Sequence, residues 1–173
     1  MLELSANYYA TLESIEYQLI REFYAEREAA RSKVPLMNHI NEGLIVLDMI
    51  GAHDCSMKAF CLHPMVQDDQ PLKKHYIHIQ NVCSSLVIMM AMEYRNVANI
   101  GLLGGVQQLS PLSEVNDMLI ADKVQNRKDL ELYHMDSHPR ADILLDYFKN
   151  WLNVLSVSED TYQQYKTILM EKQ

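Results

Sequence analysis

The sequence predicts an all-α protein folded as a single compact helical bundle, and three observations carry that prediction. Apolar residues recur at spacings of three and four along most of the chain. Only 5 glycines and 5 prolines interrupt its 173 residues. Leu, Met, Glu and Gln, which lose little rotamer freedom in a helix, are frequent between those interruptions. With 49% hydrophobic residues the chain can fill one core, and it is too short to expect two, so residues 1–173 are read as one domain.

The helices follow in order. The first span runs from about Leu4 to Arg31, where apolar residues return at helical intervals through "LESIEYQLI". The second runs from Pro35 to Ile50, opened by a proline suited to a first helical turn. "GAHDCS" then makes a turn with Asp54 or Ser56 as N-cap, and the third span covers Cys55 to about Leu62, ending before Pro64. The fourth runs from Leu72 to Leu103 and stops at the glycine-marked loop "GLLGGVQQLSP". Leu112 to Leu132 is the fifth, Pro139 to Leu155 the sixth behind the turn "SHPRAD", and Glu159 to Lys172 the seventh. The longest of these spans are the ones open to a break in the middle. No repeat, low-complexity tract or flexible linker divides them.

Charge and cysteine content narrow the function classes. A formal charge of -8 and a pI near 5.3 lack the broad basic face with which proteins displace counterions from nucleic acid, so nucleic acid is not expected as a partner. Cys55, Cys61 and Cys83 are odd in number and form no CxxC pair, which suggests neither a disulfide framework nor a thiolate zinc site. The acidic N-terminal segment has no basic region followed by an apolar run, and no stretch reaches about 18 uninterrupted apolar residues. A cytoplasmic, unprocessed protein without a membrane partner is expected.

Three polar residues interrupt stripes that should face inward. His39 shares its stripe with Leu36, Gly43 and Val46 or Leu47; His63 lies in line with Ala59, Phe60 and Val66; Asp122 lies with Val115, Met118 and Leu119. Burying a lone carboxylate costs on the order of several kcal/mol, so Asp122 needs a partner. Two imidazoles and a carboxylate meeting at one place would suit a divalent Mn, Fe or Zn ion. Taken singly, a histidine on an apolar face is more often a hydrogen-bonded core residue than a ligand.

The segment "RSKVPLMNHINEGLIVLDMIGAHDCSMKAFCLHPMVQDD" resembles the opening of HD-domain metal-dependent phosphohydrolases of the RelA/SpoT type, above all small stand-alone alarmone (ppGpp) hydrolases. These read R-x-S-G-x-P-Y-I-x-H, an apolar helix, then A-x-L-L-H-D-x-V-E-D. Downstream, "MLIADKVQNRKDLELY" is similar to V-K-L-A-D-K-L-x-N-L-R-D-L, and "DYFKNWL" to a late Y-F-x-W. The resemblance spans about Arg31 to Leu152. It implies an HD-type helical bundle, a divalent ion, manganese above others, at His39, His63 and Asp122, and a phosphorylated nucleotide such as guanosine tetra- or pentaphosphate as substrate. It also implies substrate contacts at Arg31, Lys33 and Asn126, and a catalytic carboxylate at Asp68.

The chain departs from that pattern at chemically decisive positions. The aspartate of the His-Asp doublet is Pro64, which removes a ligand and a main-chain N–H. The catalytic glutamate corresponds to Gln67, whose amide is neither acid nor base at physiological pH. Leu119 stands where a phosphate-facing lysine is usual. His53-Asp54 is an HD pair out of register, read as a capped turn. Arg95 joins Met92, Asn96 and Asn99 on one helical face that would meet phosphate or a base edge, or be a solvated face. Lys73, Lys74, His75 and His78 read as solvated surface, the methionines as core filler, and His134 and His138 carry no assigned role. Two functions remain open: metal-dependent hydrolysis of a nucleotide phosphate or pyrophosphate ester, or a catalytically degenerate HD domain that binds a nucleotide or protein. A structural helical subunit or homo-oligomer is the third and weakest.

Overall fold

The computed structural model describes residues 3–102 and 104–171. They form an all-helical bundle: α1 (Ala6–Leu12), α2 (Ile15–Tyr24), α3 (Met37–Met49), α4 (Asp54–Val66), α5 (Asp69–Val82), α6 (Ser85–Leu102), α7 (Ser113–Tyr133), α8 (Ala141–Val154) and α9 (Glu159–Glu171). No helix is long and apolar enough to cross a membrane among the described residues.

Helix α4 sits at the centre. Ten of its thirteen residues are buried, its polar surface is confined to the Asp54–Lys58 pair near its start, and α2, α3, α5, α6 and α7 all pack around it. Helix α7 lies across α3 on one side and α8 on the other. Gly43 lets α3 and α4 approach, because a Cβ there would overlap the Phe60 ring. The buried apolar side chains join into one core, with Trp151, Tyr94, Tyr162 and Phe60 the largest fully buried.

Several expected boundaries move, each for a local reason. The span expected over Leu4–Arg31 is two helices. Ser5 and Ser14 each accept a backbone N–H, from Tyr8 and Tyr17, and so cap α1 and α2 separately. Beyond Tyr24 the chain leaves helix altogether: Ala25 takes φ 46, Lys33 takes φ 60, and an isolated bridge pairs Glu28 with Pro35. The span expected over Leu72–Leu103 starts earlier and breaks at Cys83, where the backbone is extended and the Ser84 hydroxyl accepts from Val87 N–H to start α6; Leu103 lies outside the described residues, as does Lys172. The N-cap of α4 is His53, neither Asp54 nor Ser56, its Nδ1 accepting from Cys55 N–H. The methionines divide: Met57, Met65, Met90 and Met118 are core, while Met89 and Met170 are exposed.

Helix α4 also continues past Pro64 to Val66, beyond its expected end. Its last carbonyls, which have no partner inside the helix, are met from α6. Arg95 Nη1 donates to Val66 O at 2.8 Å and to Gln67 O at 2.7 Å, and Asn99 Nδ2 donates to Gln67 O at 3.0 Å.

Candidate metal centre

Helices α3, α4 and α7 bring His39, His63 and Asp122 together. His39 Nε2 and His63 Nε2 stand 3.1 Å apart, and Asp122 Oδ1 is 3.5 Å from the first and 3.8 Å from the second. A point equidistant from these three atoms lies about 2 Å from each, the length of a Zn–N or Zn–O bond and close to that of other first-row ions. His63 and Asp122 are buried and His39 is partly exposed, so the set sits at the inner wall of a cavity.

Hydrogen bonds fix the tautomer of both rings. His63 Nδ1 lies 2.6 Å from the carbonyl of Phe60, which can only accept, so Nδ1 carries the proton. His39 Nδ1 lies 2.6 Å from Gln125 Oε1. That oxygen is an acceptor, because Gln125 Nε2 donates to Glu42 Oε2 at 3.2 Å and to Asp129 Oδ2 at 2.8 Å. Both Nε2 atoms therefore present lone pairs, and they face each other. Two lone pairs at that separation repel unless a cation, either a proton or a metal ion, lies beside them. The donor set fits a divalent ion.

Electrostatics hold the set in the forms that ligands need. Burial, then the neighbouring His39, pulls the His63 pKa down to about 3, which keeps the ring neutral. Burial pushes the Asp122 carboxyl up, but Lys123, His39 and His63 outweigh it and hold it at about 2. Asp122 Oδ2 accepts from Lys123 Nζ at 2.6 Å, and Oδ1 accepts from Asn126 Nδ2 at 2.8 Å. The Tyr94 ring lies 4.8 Å from His63, and burial, then Asp122, raises the pKa of its phenol well above the ordinary value, so it stays protonated.

A second layer of charge supports the first. Lys128 is fully buried, with Nζ 2.6 Å from Glu42 Oε1 and 3.0 Å from Asp129 Oδ1. Its pKa is raised, since these carboxylates outweigh the effect of burial. The run Lys128, Glu42, Gln125, His39 thus connects a buried ion pair to the His39 ring.

The cavity measures about 460 Å³, and His39, His63, Pro64, Gln67, Asp122 and Asn126 all line it. Other expected residues lie elsewhere. Asp68 is exposed at the N-cap of α5 and does not line the cavity. Arg95 faces a different pocket with Met92, Asn96 and Asn99. Arg31 and Lys33 flank the lining residue Ser32. Sequence reading missed Gln125, Lys123, Glu42, Lys128 and Tyr94. The available signal was spacing, since Glu42 follows His39 by one helical turn and Gln125 and Asp129 follow Asp122 along one side of α7.

No family model, curated protein or solved structure matches the chain.

Proposed function

We propose that this chain is an HD-type, metal-dependent phosphohydrolase-like protein that takes a nucleotide or another phosphorylated small molecule into the cavity over His39, His63 and Asp122. The single observation that supports this best is the pair of facing Nε2 lone pairs 3.1 Å apart beside a buried carboxylate. His39 and His63 would hold the ion through Nε2 and Asp122 through Oδ1, with manganese the ion implied by the family resemblance. A divalent ion supplies Lewis acidity to a phosphoryl oxygen and lowers the pKa of a coordinated water. Gln125 and the Phe60 carbonyl orient the two rings, and Asn126 orients the carboxylate. Gln67 can donate its amide to a phosphoryl oxygen or to water but cannot remove a proton. A cytoplasmic location belongs to the same reading.

One observation favours a second reading, a domain that binds the nucleotide without hydrolysing it. Asp68, the carboxylate that the resemblance offers as base, is exposed on α5 outside the cavity, and Gln67 replaces the other. The two readings separate in one experiment. Protein loaded with Mn is expected to release phosphate or pyrophosphate from guanosine tetra- or pentaphosphate, and Asp122→Asn or His39→Ala to lose both ion and turnover. Nucleotide binding without turnover selects the second reading. Elemental analysis finding no ion after Mn loading, with no nucleotide binding, sinks both.

A further inference from the structure

The pair His53-Asp54, out of register with the resembled motif, has no part in the cavity. It opens α4, where a rise of about 1.5 Å per residue puts His53 about 15 Å along the axis from His63. Among the described residues it forms, with Cys55, a second group whose ligand atoms all lie within 4.8 Å of one another. His53 Nδ1 is 2.8 Å from Asp54 Oδ1 and 3.0 Å from Cys55 Sγ. Metal bonds of about 2.0–2.3 Å meeting near a right angle give N···O and N···S edges of that size.

Capping alone does not account for this arrangement. As the N-cap, Nδ1 accepts from Cys55 N–H at 3.4 Å, at the long limit of a hydrogen bond. A ring nitrogen that accepts has no proton, so its lone pair then faces the Asp54 carboxylate at 2.8 Å. A nitrogen that carries a proton pairs with Asp54 and gives up the cap. A divalent ion beside Nδ1 meets nitrogen, oxygen and sulfur at once. Cys55 is the independent sign of such an ion: it is only 7% exposed, and a buried cysteine ordinarily packs as a small apolar residue, yet its Sγ turns to the imidazole. Lys58 Nζ holds Asp54 Oδ2 at 2.9 Å and leaves Oδ1 toward the ring. The His53 side chain is 70% exposed, so the outer positions are open to water. The amino end of a helix favours the thiolate and the carboxylate, whose two charges balance a divalent ion.

We propose that His53 Nδ1, Asp54 Oδ1 and Cys55 Sγ form a second metal site, for a borderline divalent ion of the zinc class, at the start of α4. One imidazole, one carboxylate and one thiolate suit zinc, whereas manganese prefers oxygen. The three cysteines exclude a site built of thiolates alone, and this one needs a single sulfur. On binding, the Cys55 thiol releases its proton to solvent and its sulfur takes the ion, with no oxidant or reductant involved. The site stands apart from the function proposed for the cavity.

The test uses the whole chain, stripped with a chelator and kept reduced, titrated with cobalt(II) as a spectroscopic stand-in for zinc. A thiolate-to-cobalt charge-transfer band in the near ultraviolet is expected, which His39, His63 and Asp122 cannot give because they offer no sulfur. Zinc is expected to remove the band by displacement and manganese to leave it. Cys55→Ser should abolish it, while Cys61→Ser, Cys83→Ser and His39→Ala should keep it. His53→Asn separates ligand from cap, because asparagine caps a helix well: the thermal midpoint should hold while cobalt affinity falls by about tenfold or more. No band in the wild-type chain, a band that survives Cys55→Ser, or unchanged cobalt affinity in His53→Asn overturns the proposal. Mn affinity measured on Cys55→Ser and His53→Asn should stay at the wild-type value, so failure of this site and failure of the cavity centre are read separately.

Discussion

His63 Nδ1 donates to the carbonyl of Phe60 at 2.6 Å, and that carbonyl is the one Pro64 would have bonded had it possessed an N–H. The proline thus frees an acceptor inside α4, and the ring immediately before it takes that acceptor. The consequence reaches the site, because a proton held on Nδ1 leaves Nε2 as the lone pair facing His39. Pro64 removes a carboxylate from the resembled doublet and at the same place helps to aim the histidine.

Pro64 also lines the cavity, so under the proposed function an oxygen ligand placed there would face an ion held by His39, His63 and Asp122. Pro64→Asp is expected to raise Mn affinity by roughly tenfold, about 1.4 kcal/mol, measured by titration calorimetry. Pro64→Asp with Gln67→Glu should create or increase hydrolysis. A folded Pro64→Asp protein binding Mn no better than wild type would show that position 64 does not face the ion.

Gln125 sets the proton of His39 and should matter for metal without touching it. Gln125→Leu removes the acceptor from Nδ1 and is expected to lower metal affinity 10- to 100-fold, roughly the effect of losing a partner of a ligand ring. Competition against a chelator reads it, and circular dichroism checks that the helices remain. Unchanged affinity would rule out a positioning role.

Lys128 is at 0% side-chain exposure against Glu42. Lys128→Met removes the ammonium from a buried carboxylate and is expected to cost about 3–5 kcal/mol in urea denaturation. Lys128→Met with Glu42→Gln should recover part of that loss. A single change costing under about 1 kcal/mol would mean that water reaches the pair.

Stability should fall on acidification in two overlapping steps. Folding depresses the His63 pKa from 6.5 to about 3, so below pH 6.5 the unfolded chain binds a proton that the folded one refuses, and stability declines from there toward pH 3. Asp122 is depressed from 3.8 to about 2, so its contribution is present above pH 3.8 and is lost as pH falls through 2. His63→Gln should flatten the first step and leave the second. Denaturation midpoints measured from pH 7.5 to 2 check both steps, and a wild-type midpoint that does not fall between pH 7.5 and 4 would contradict a buried neutral His63.

The sequence by itself determined the all-α class, the span of α7, and the inward facing of His39, His63 and Asp122. Each of these is local: helical spacing says which side of its own helix a residue occupies, and sparse glycine and proline say how far that helix runs. It could not place Asp68 or Arg95. Asp68 lies at the junction of α4 and α5 and Arg95 reaches that junction from α6, so the packing of α6 decides which groups meet the cavity and which cap a helix end. The breaks at Ser14 and Ser84 were written in capping residues, yet whether a serine caps or rides along a helix is settled by what the flanking segments bury. Tertiary structure alone decided that two ring nitrogens face each other, since their separation depends on how α3 crosses α4 and on the hydrogen bonds that Gln125 and Phe60 make to the opposite side of each ring. Periodicity carries the direction of a side chain from its own axis, and the distance between side chains on two axes is fixed only when the core between them is packed.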